Sequence, residues 1–234
     1  MNKQKPVYLM AGGRSSRGKG IDPIMEAVFE EIGKKLPAIA YVGAASDDDK
    51  SFFKYIGDLL KKAGAGDVIH AITVPPKADI QKAREVLGSA DAIFISGGDV
   101  ERGMEVLEQK NLSGFLEELY RQGKLFIGTS AGSIMLAKEW VRWRDPDDDS
   151  SAELFPCLGF AEVICDTHAE SDGWEELQAA LKLEKENTRG YGIGTGSCLK
   201  VYPEGKVEAV GSAVDRYIHH PGKVEKLADL LPFA

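Results

Sequence analysis

The chain alternates short, nearly continuous apolar runs with stretches of helical periodicity, and this alternation limits its fold more than any other feature. Val7-Tyr8-Leu9-Met10, Ala38–Val42, Val68–Ile72, Ala92–Ile95 and Leu125-Phe126-Ile127 are the apolar runs. Between them lie helical patterns at about Pro23–Lys35 (Ile24, Val28 and Ile32 on one face), Phe52–Ala63, Ala78–Leu87, Glu101–Leu107 and Leu112–Arg121. Strands without polar alternation, separated by helices, predict a parallel sheet covered on both faces. In such sheets ligands gather at the carboxyl ends of the strands. Three of these ends are rich in glycine, at Gly12-Gly13, Gly97-Gly98 and Gly128, so they are expected to converge on one edge.

Beyond Leu136 the regularity weakens. Asp145–Ser151 reads as an acidic loop and a candidate mobile flap. A calcium loop does not fit, because the sixth position lacks Gly and the twelfth is Pro156. Ala161–Cys165 reads as a further strand, Trp174–Leu183 as a helix, and Tyr191–Ile218 as short strands with turns. No linker or repeat interrupts residues 1–234, which predicts one domain.

The fifth apolar run leads into Gly128-Thr129-Ser130-Ala131-Gly132, a Gly-x-Ser-x-Gly pentapeptide at a strand-to-helix turn. That spacing lifts a serine hydroxyl above the sheet as a nucleophile, and the Ala131 N–H opens the next helix beside it. Ser130 needs a base. His168 follows the Ala161–Cys165 run on the same predicted edge, with Asp166 two residues before it and on the same face of an extended segment. His70 falls inside a predicted buried strand, and His219-His220 is the remaining alternative. Gly97-Gly98 offers backbone N–H groups beside the serine, and Asp99 suits either a substrate contact or a helix cap.

Gly13–Gly20 matches a phosphate-binding loop up to its last position, where Gly20 replaces the Ser or Thr that would hold magnesium. The loop reads better as a basic wall of a cleft than as a nucleotide site. A formal charge of −8 argues against nucleic-acid binding. Cys157, Cys165 and Cys198 have neither metal-ligand nor disulfide spacing, so no metal and no cofactor is expected. No run approaches ~20 apolar residues, and the first residues carry too short an apolar stretch for a signal peptide. No membrane partner and a cytoplasmic location are the expectations.

Taken together, Ser96-Gly97-Gly98-Asp99, Gly128–Ser133 and Asp166-Thr167-His168 resemble the S51 serine peptidases, which include dipeptidase E and cyanophycinase. The resemblance runs over most of the chain. It implies a three-layer α/β/α sandwich with a mainly parallel sheet, class I glutamine amidotransferase-like and flavodoxin-like. It also implies Ser130 as nucleophile, His168 as base, and the Gly98 and Ala131 amides as oxyanion donors. Gly97, Asp99 and Asp166 would line the substrate, a small peptide or isopeptide such as an Asp-containing dipeptide or a cyanophycin-like unit. Glutamine amidotransferases place a Cys at the elbow, where this chain has Ser130. A homodimer is allowed by the resemblance alone.

Two departures stand out. Thr195 occupies the position of the family's third triad member, a glutamate in the dipeptidase. A threonine can fix the imidazole tautomer but cannot stabilise an imidazolium with charge; Asp166, Glu170 and Asp172 are the carboxylates that could compensate. The segment after His168 is acidic and contains no arginine to read an acidic substrate. The expected function is a serine hydrolase of small amides. The alternative is a catalytically weakened relative that binds a small amino-acid-like ligand.

Overall fold

A computed structural model describes residues 3–12, 23–145 and 147–232. The phosphate-loop-like segment lies outside these residues, apart from Gly12 before it. The apolar runs form β1 (Val7–Met10), β2 (Ile39–Val42), β3 (Val68–Ala71), β4 (Ala92–Ile95) and β5 (Leu125–Thr129). The intervening helices are α1 (Pro23–Ile32), α2 (Lys50–Ala63), α3 (Ile80–Ser89), α4 (Val100–Gln109) and α5 (Ser113–Arg121). The elbow leads into the short helix α6 (Ala131–Leu136).

All five strands pair in parallel, in the order β1-β5-β4-β2-β3. Two later strands, β10 (Ser197–Val201) and β11 (Val207–Gly211), extend the β1 edge antiparallel and complete a seven-stranded sheet. Alternate residues face opposite layers. Val7, Leu9, Ala40, Val42, Ile93, Ile95 and Phe126 pack with Leu87, Leu107, Leu116 and Met135 of α3–α6. Tyr8, Met10, Ile39, Tyr41, Phe94 and Ile127 pack with Ile24, Val28 and Leu60 of α1 and α2. Burial on both faces is what the unbroken apolar runs encode. The architecture is a three-layer α/β/α sandwich with a mainly parallel sheet.

The second half adds two arrangements that the periodicity left unspecified. The segment around the acidic loop is a β-hairpin, β6 (Glu139–Trp143) paired with β7 (Ala152–Pro156), and Asp145–Ser151 is its tip. The tip is tied by its own side chains: Ser151 Oγ donates to the Asp145 carbonyl at 2.9 Å, and Asp148 accepts from Ser150 N–H at 2.9 Å. The tail forms the expected short strands, divided between two sheets. β8 (Ile164–Thr167), β9 (Arg189–Ile193), β12 (Val214–His220) and β13 (Lys223–Leu230) form a separate four-stranded sheet, with α7 (Glu175–Leu183) packed on it. β8 begins three residues later than the apolar run and ends at Thr167, because Lys138 N–H binds the Val163 carbonyl and draws that segment toward the hairpin. Tyr191, Ile193 and Val214 of this sheet belong to the same apolar cluster as Leu199 and Ile134, so the two sheets share a core.

Candidate active site

Ser130 sits between β5 and α6 with φ 53° and ψ −127°, a conformation that costs a non-glycine residue roughly 1–3 kcal/mol. The surroundings hold it there. Ser130 N–H donates to the Met10 carbonyl at 2.9 Å, and Ser133 Oγ donates to the same oxygen at 2.8 Å. The flanking glycines are required by contact: a Cβ on Gly128 would lie 2.5 Å from the Gly132 carbonyl oxygen, and one on Gly132 would lie 2.1 Å from that of Ile95. A side chain at either position would force strand and helix apart.

Gly97 and Gly98 leave β4 directly beside the serine. A Cβ on Gly97 would come within 3.0 Å of Ser130 Cβ, so the missing side chain is the space the hydroxyl uses. Gly98 has φ +143° and rests on the Ala45 carbonyl, which also accepts from Asp99 N–H at 2.8 Å. Among the described residues the amides of Gly98 and Ala131 have no hydrogen-bond partner. Asp99 caps α4, accepting from Arg102 N–H at 2.8 Å. Its carboxylate is thus committed to the helix even though the residue lines the cleft.

Beneath Gly98 lies a second buried polar unit. Asp48 Oδ2 accepts from the Thr73 and Val74 amides at 2.7 Å each, and Oδ1 lies 2.9 Å from His70 Nε2. Phe53 stacks on the imidazole at 4.5 Å between centroids. Burial alone would raise the Asp48 carboxyl, but the His70 hydrogen bond and the two amides outweigh it and hold it below the usual carboxylate range. His70 is therefore a satisfied structural histidine that pins the turn supporting Gly98.

His168 follows β8 directly, with φ 57° and an exposed side chain. Its N–H donates to the Ile193 carbonyl at 3.2 Å. Its ring faces Gly12 at the end of β1, where a Cβ would lie 3.7 Å from Cε1 and 2.8 Å from Thr129 Oγ1. The imidazole and the serine thus occupy the same strand-end edge. Among the described residues neither Ser130 Oγ nor the His168 ring makes a hydrogen bond, and unliganded sites often tighten such contacts only when substrate binds. His219 lies elsewhere: its Nδ1 is 2.9 Å from the Glu184 carbonyl, near the start of β9 rather than its end. Thr195 is exposed, and its N–H donates to Glu170 Oε1 at 2.6 Å.

Ser130, Gly98, Asp99 and Ala131 open onto a cleft of about 290 Å³ whose far wall is Trp140, Asp166, Thr167 and Glu176. Trp140 and Glu176 had no signature in the sequence; they arrive through the hairpin and the first turn of α7, with Trp140 Nε1 donating to Glu176 Oε2 at 2.9 Å. Arg142, which pairs with Glu101 of α4 and stacks over Phe155 at 4.7 Å, fastens the hairpin across the cleft. Asp166 is only 4% exposed; Oδ1 accepts from Thr167 N–H at 2.6 Å, and Oδ2 has no partner. Burial is the main force that pushes its carboxyl up to about 7; the Thr167 and Leu177 amides oppose the shift, and the negative fields of Glu176 and Asp172 add to it. Among the described residues, no lysine, arginine or histidine lines the cleft.

The thiols are not competitors for the serine. Burial raises Cys157 to about 12 and raises Cys165 as well, so neither offers a thiolate near neutral pH.

Residues 7–208 match the model of peptidase family S51. An uncharacterized peptidase of Bacillus subtilis (strain 168), YgaJ, is 22% identical over 213 residues, covering 89% of this chain and 88% of that protein. Among solved structures, a peptidase from an acI-B1 Actinobacterium superposes with a TM-score of 0.73 at 16% identity, over 98% of this chain and 97% of the other. A putative peptidase E from Listeria monocytogenes EGD-e superposes with a TM-score of 0.61 at 16% identity, over 88% and 98%. At these identities the structural likeness speaks to the fold.

Proposed function

This chain belongs to peptidase family S51, and from that premise we propose that it is a serine-type hydrolase of small peptide or isopeptide amides. The observation that carries the proposal is the strained Ser130, presented to one cleft together with two unpartnered backbone amides, Gly98 and Ala131. In this reading Ser130 Oγ attacks the amide carbon. His168 takes the hydroxyl proton and returns it to the leaving amine. The two amides receive the negative charge that develops on the carbonyl oxygen, the term on which acyl transfer depends most.

The cleft also bears on the substrate. Among the described residues, Asp99, Asp166 and Glu176 line it without a cation, so an acidic side chain would meet like charge there. A free amine or guanidinium, by contrast, would offset the burial of Asp166. Among dipeptidase-like and cyanophycin-like amides, the lining therefore favours a substrate that places a basic group beyond Ser130. The negative formal charge supports a small-molecule rather than a nucleic-acid partner. Cys157 and Cys165, which form no disulfide among the described residues, support a reducing, cytoplasmic setting. Among the described residues, no helix is long and apolar enough to cross a membrane.

A fluorophosphonate probe tests the assignment. Ser130 should be labelled, and Ser130→Ala and His168→Ala should abolish labelling while leaving the circular-dichroism spectrum intact. A protein that takes up no label between pH 6 and 9 would remove the hydrolase reading. The second reading, a ligand-binding relative with weakened chemistry, draws on Thr195, which carries no charge. Turnover of any member of a basic dipeptide and isopeptide library would eliminate it.

A further inference from the structure

An imidazole acting as a base toward serine needs an acceptor for its other N–H, both to fix the tautomer and to stabilise the charge it acquires. Thr195 supplies no charge, but Glu170 brings a carboxylate onto its backbone N–H from the segment after His168. Glu170, two residues after His168, turns back over the loop that joins β9 to β10. Its Oε1 accepts from Thr195 N–H at 2.6 Å and lies 2.8 Å from where a Cβ on Gly194 would stand. Gly194 therefore has no side chain because the carboxylate occupies that space. Oε2 makes no hydrogen bond among the described residues, which leaves it free to accept one.

His168 leans on the same loop. Its N–H binds the Ile193 carbonyl at 3.2 Å, and its ring faces Gly12, whose carbonyl accepts from Gly196 N–H at 3.4 Å. Residues 193–196 thus hold both the His168 backbone, through the Ile193 carbonyl, and the Glu170 carboxylate, through the Thr195 N–H. The other nearby carboxylates are engaged elsewhere. Asp172 accepts from Trp174 N–H at 2.9 Å at the start of α7. Asp166 accepts from Thr167 N–H at 2.6 Å, and its remaining oxygen is buried.

Resting on the hydrolase reading above, we propose that Glu170 is the positioning residue for His168: docked on the Thr195 amide, its free oxygen accepts the imidazole N–H that faces away from Ser130. The acid is carried on the segment after the histidine, and position 195 contributes only its backbone N–H. This frees the residue 195 side chain from any acidic requirement and accounts for a threonine there.

Two measurements on the full-length protein test the proposal. The first is the pKa of His168 by histidine NMR, in the parent and in Glu170→Gln, Glu170→Asp and Asp172→Asn. Glutamine retains an acceptor for Thr195 N–H, so the loop stays in place while the charge is removed. The His168 pKa should fall in Glu170→Gln, because the opposite charge that favours the imidazolium is gone. It should stay near the parent value in Glu170→Asp and in Asp172→Asn. The second is the rate of Ser130 phosphonylation across pH, which Glu170→Gln should slow by about a hundredfold near neutrality and Glu170→Asp should largely restore. A His168 pKa unchanged by Glu170→Gln would overturn the proposal, whether or not the serine reacts. So would a parent that labels at Ser130 while Glu170→Gln labels at the same rate with the same pH profile. Failure of the parent to label would instead remove the hydrolase reading, and the NMR result would still decide whether Glu170 serves the imidazole.

Discussion

At the scale of single residues, Asp166 is the least comfortable group in the site. It is nearly fully buried with one oxygen unpartnered, and burial together with the Glu176 and Asp172 fields favours its neutral form. Its carboxyl titrates near 7 in the folded protein and at the usual 3.8 when unfolded. A raised acid of this kind is harmless below the unfolded value. It then removes stability as pH climbs toward 7, and the loss levels off above that. The full effect is on the order of 4 kcal/mol. Asp166→Asn should therefore gain stability relative to the parent between pH 4 and 7, with the gain constant above about pH 8. Urea midpoints at four pH values measure this, and a difference that does not change with pH would show that the carboxylate is solvated or paired. A basic ligand in the cleft should recover part of the same energy, so it should raise the parent's melting temperature more at pH 8 than at pH 5.

At the scale of elements, the site depends on backbones that approach one another too closely for side chains. Gly98 rests on the Ala45 carbonyl with φ +143°, and an added Cβ would stand 1.9 Å from that oxygen. Gly98→Ala must shift the peptide whose N–H is proposed as an oxyanion donor. Loss of one such donor typically lowers a rate by about 10²–10³, and Ser130 labelling should fall accordingly, with a stability loss of roughly 2 kcal/mol. The turn beneath is held by Asp48 between His70 and the Thr73 and Val74 amides. Because those partners depress its pKa, the stability Asp48 contributes is present above the unfolded value and is lost as pH falls through the lower, folded one. Removing one member of a buried pair typically costs about 3–5 kcal/mol. Asp48→Ala should lose that much at pH 7 and show a flatter acid limb below pH 4, as read from denaturant titrations.

For the whole molecule, the question is whether two sheets make one cooperative unit. The four-stranded sheet supplies His168 and Asp166, and the seven-stranded sheet supplies Ser130 and Gly98. The site therefore exists only where the two meet. Their shared core, running from Ile134 through Ile193 to Val214, predicts a single transition. The chain carries its own reporters: Trp140, Trp143 and Trp174 all lie in the hairpin and at the entry to α7, whereas most helical signal arises around the main sheet. Tryptophan fluorescence and ellipticity at 222 nm should give coincident urea curves; separated midpoints would show two independent domains. The homodimer allowed by family resemblance remains a proposal, which analytical ultracentrifugation tests. Ile69 and Ile72, on or next to β3, an edge strand among the described residues, are 42% and 46% exposed and are where self-association through a sheet edge would act.

What the sequence determined by itself was everything local. Unbroken apolar runs between helical periods specify a doubly covered parallel sheet, because both strand faces must be buried. Gly128-x-Ser130-x-Gly132 specifies the elbow, because the crossing of strand and helix leaves no room for a Cβ at either end. His168 is legible because it follows a strand that ends on the same edge. Tertiary structure decided what depends on long-range approach. Nothing in the period of residues 139–156 distinguishes a covering hairpin from a loop, since its pairing partners and the α4 anchor at Glu101 are remote in sequence. Trp140 and Glu176 reach the cleft through two separate elements, and no spacing links them. Thr195 and Glu170 are 25 residues apart, so the contact between the Thr195 amide and the Glu170 carboxylate appears only where β8 and β9 run side by side. Pairing in a sheet is set by burial of the whole face, and that is a property of the assembled core rather than of any one segment.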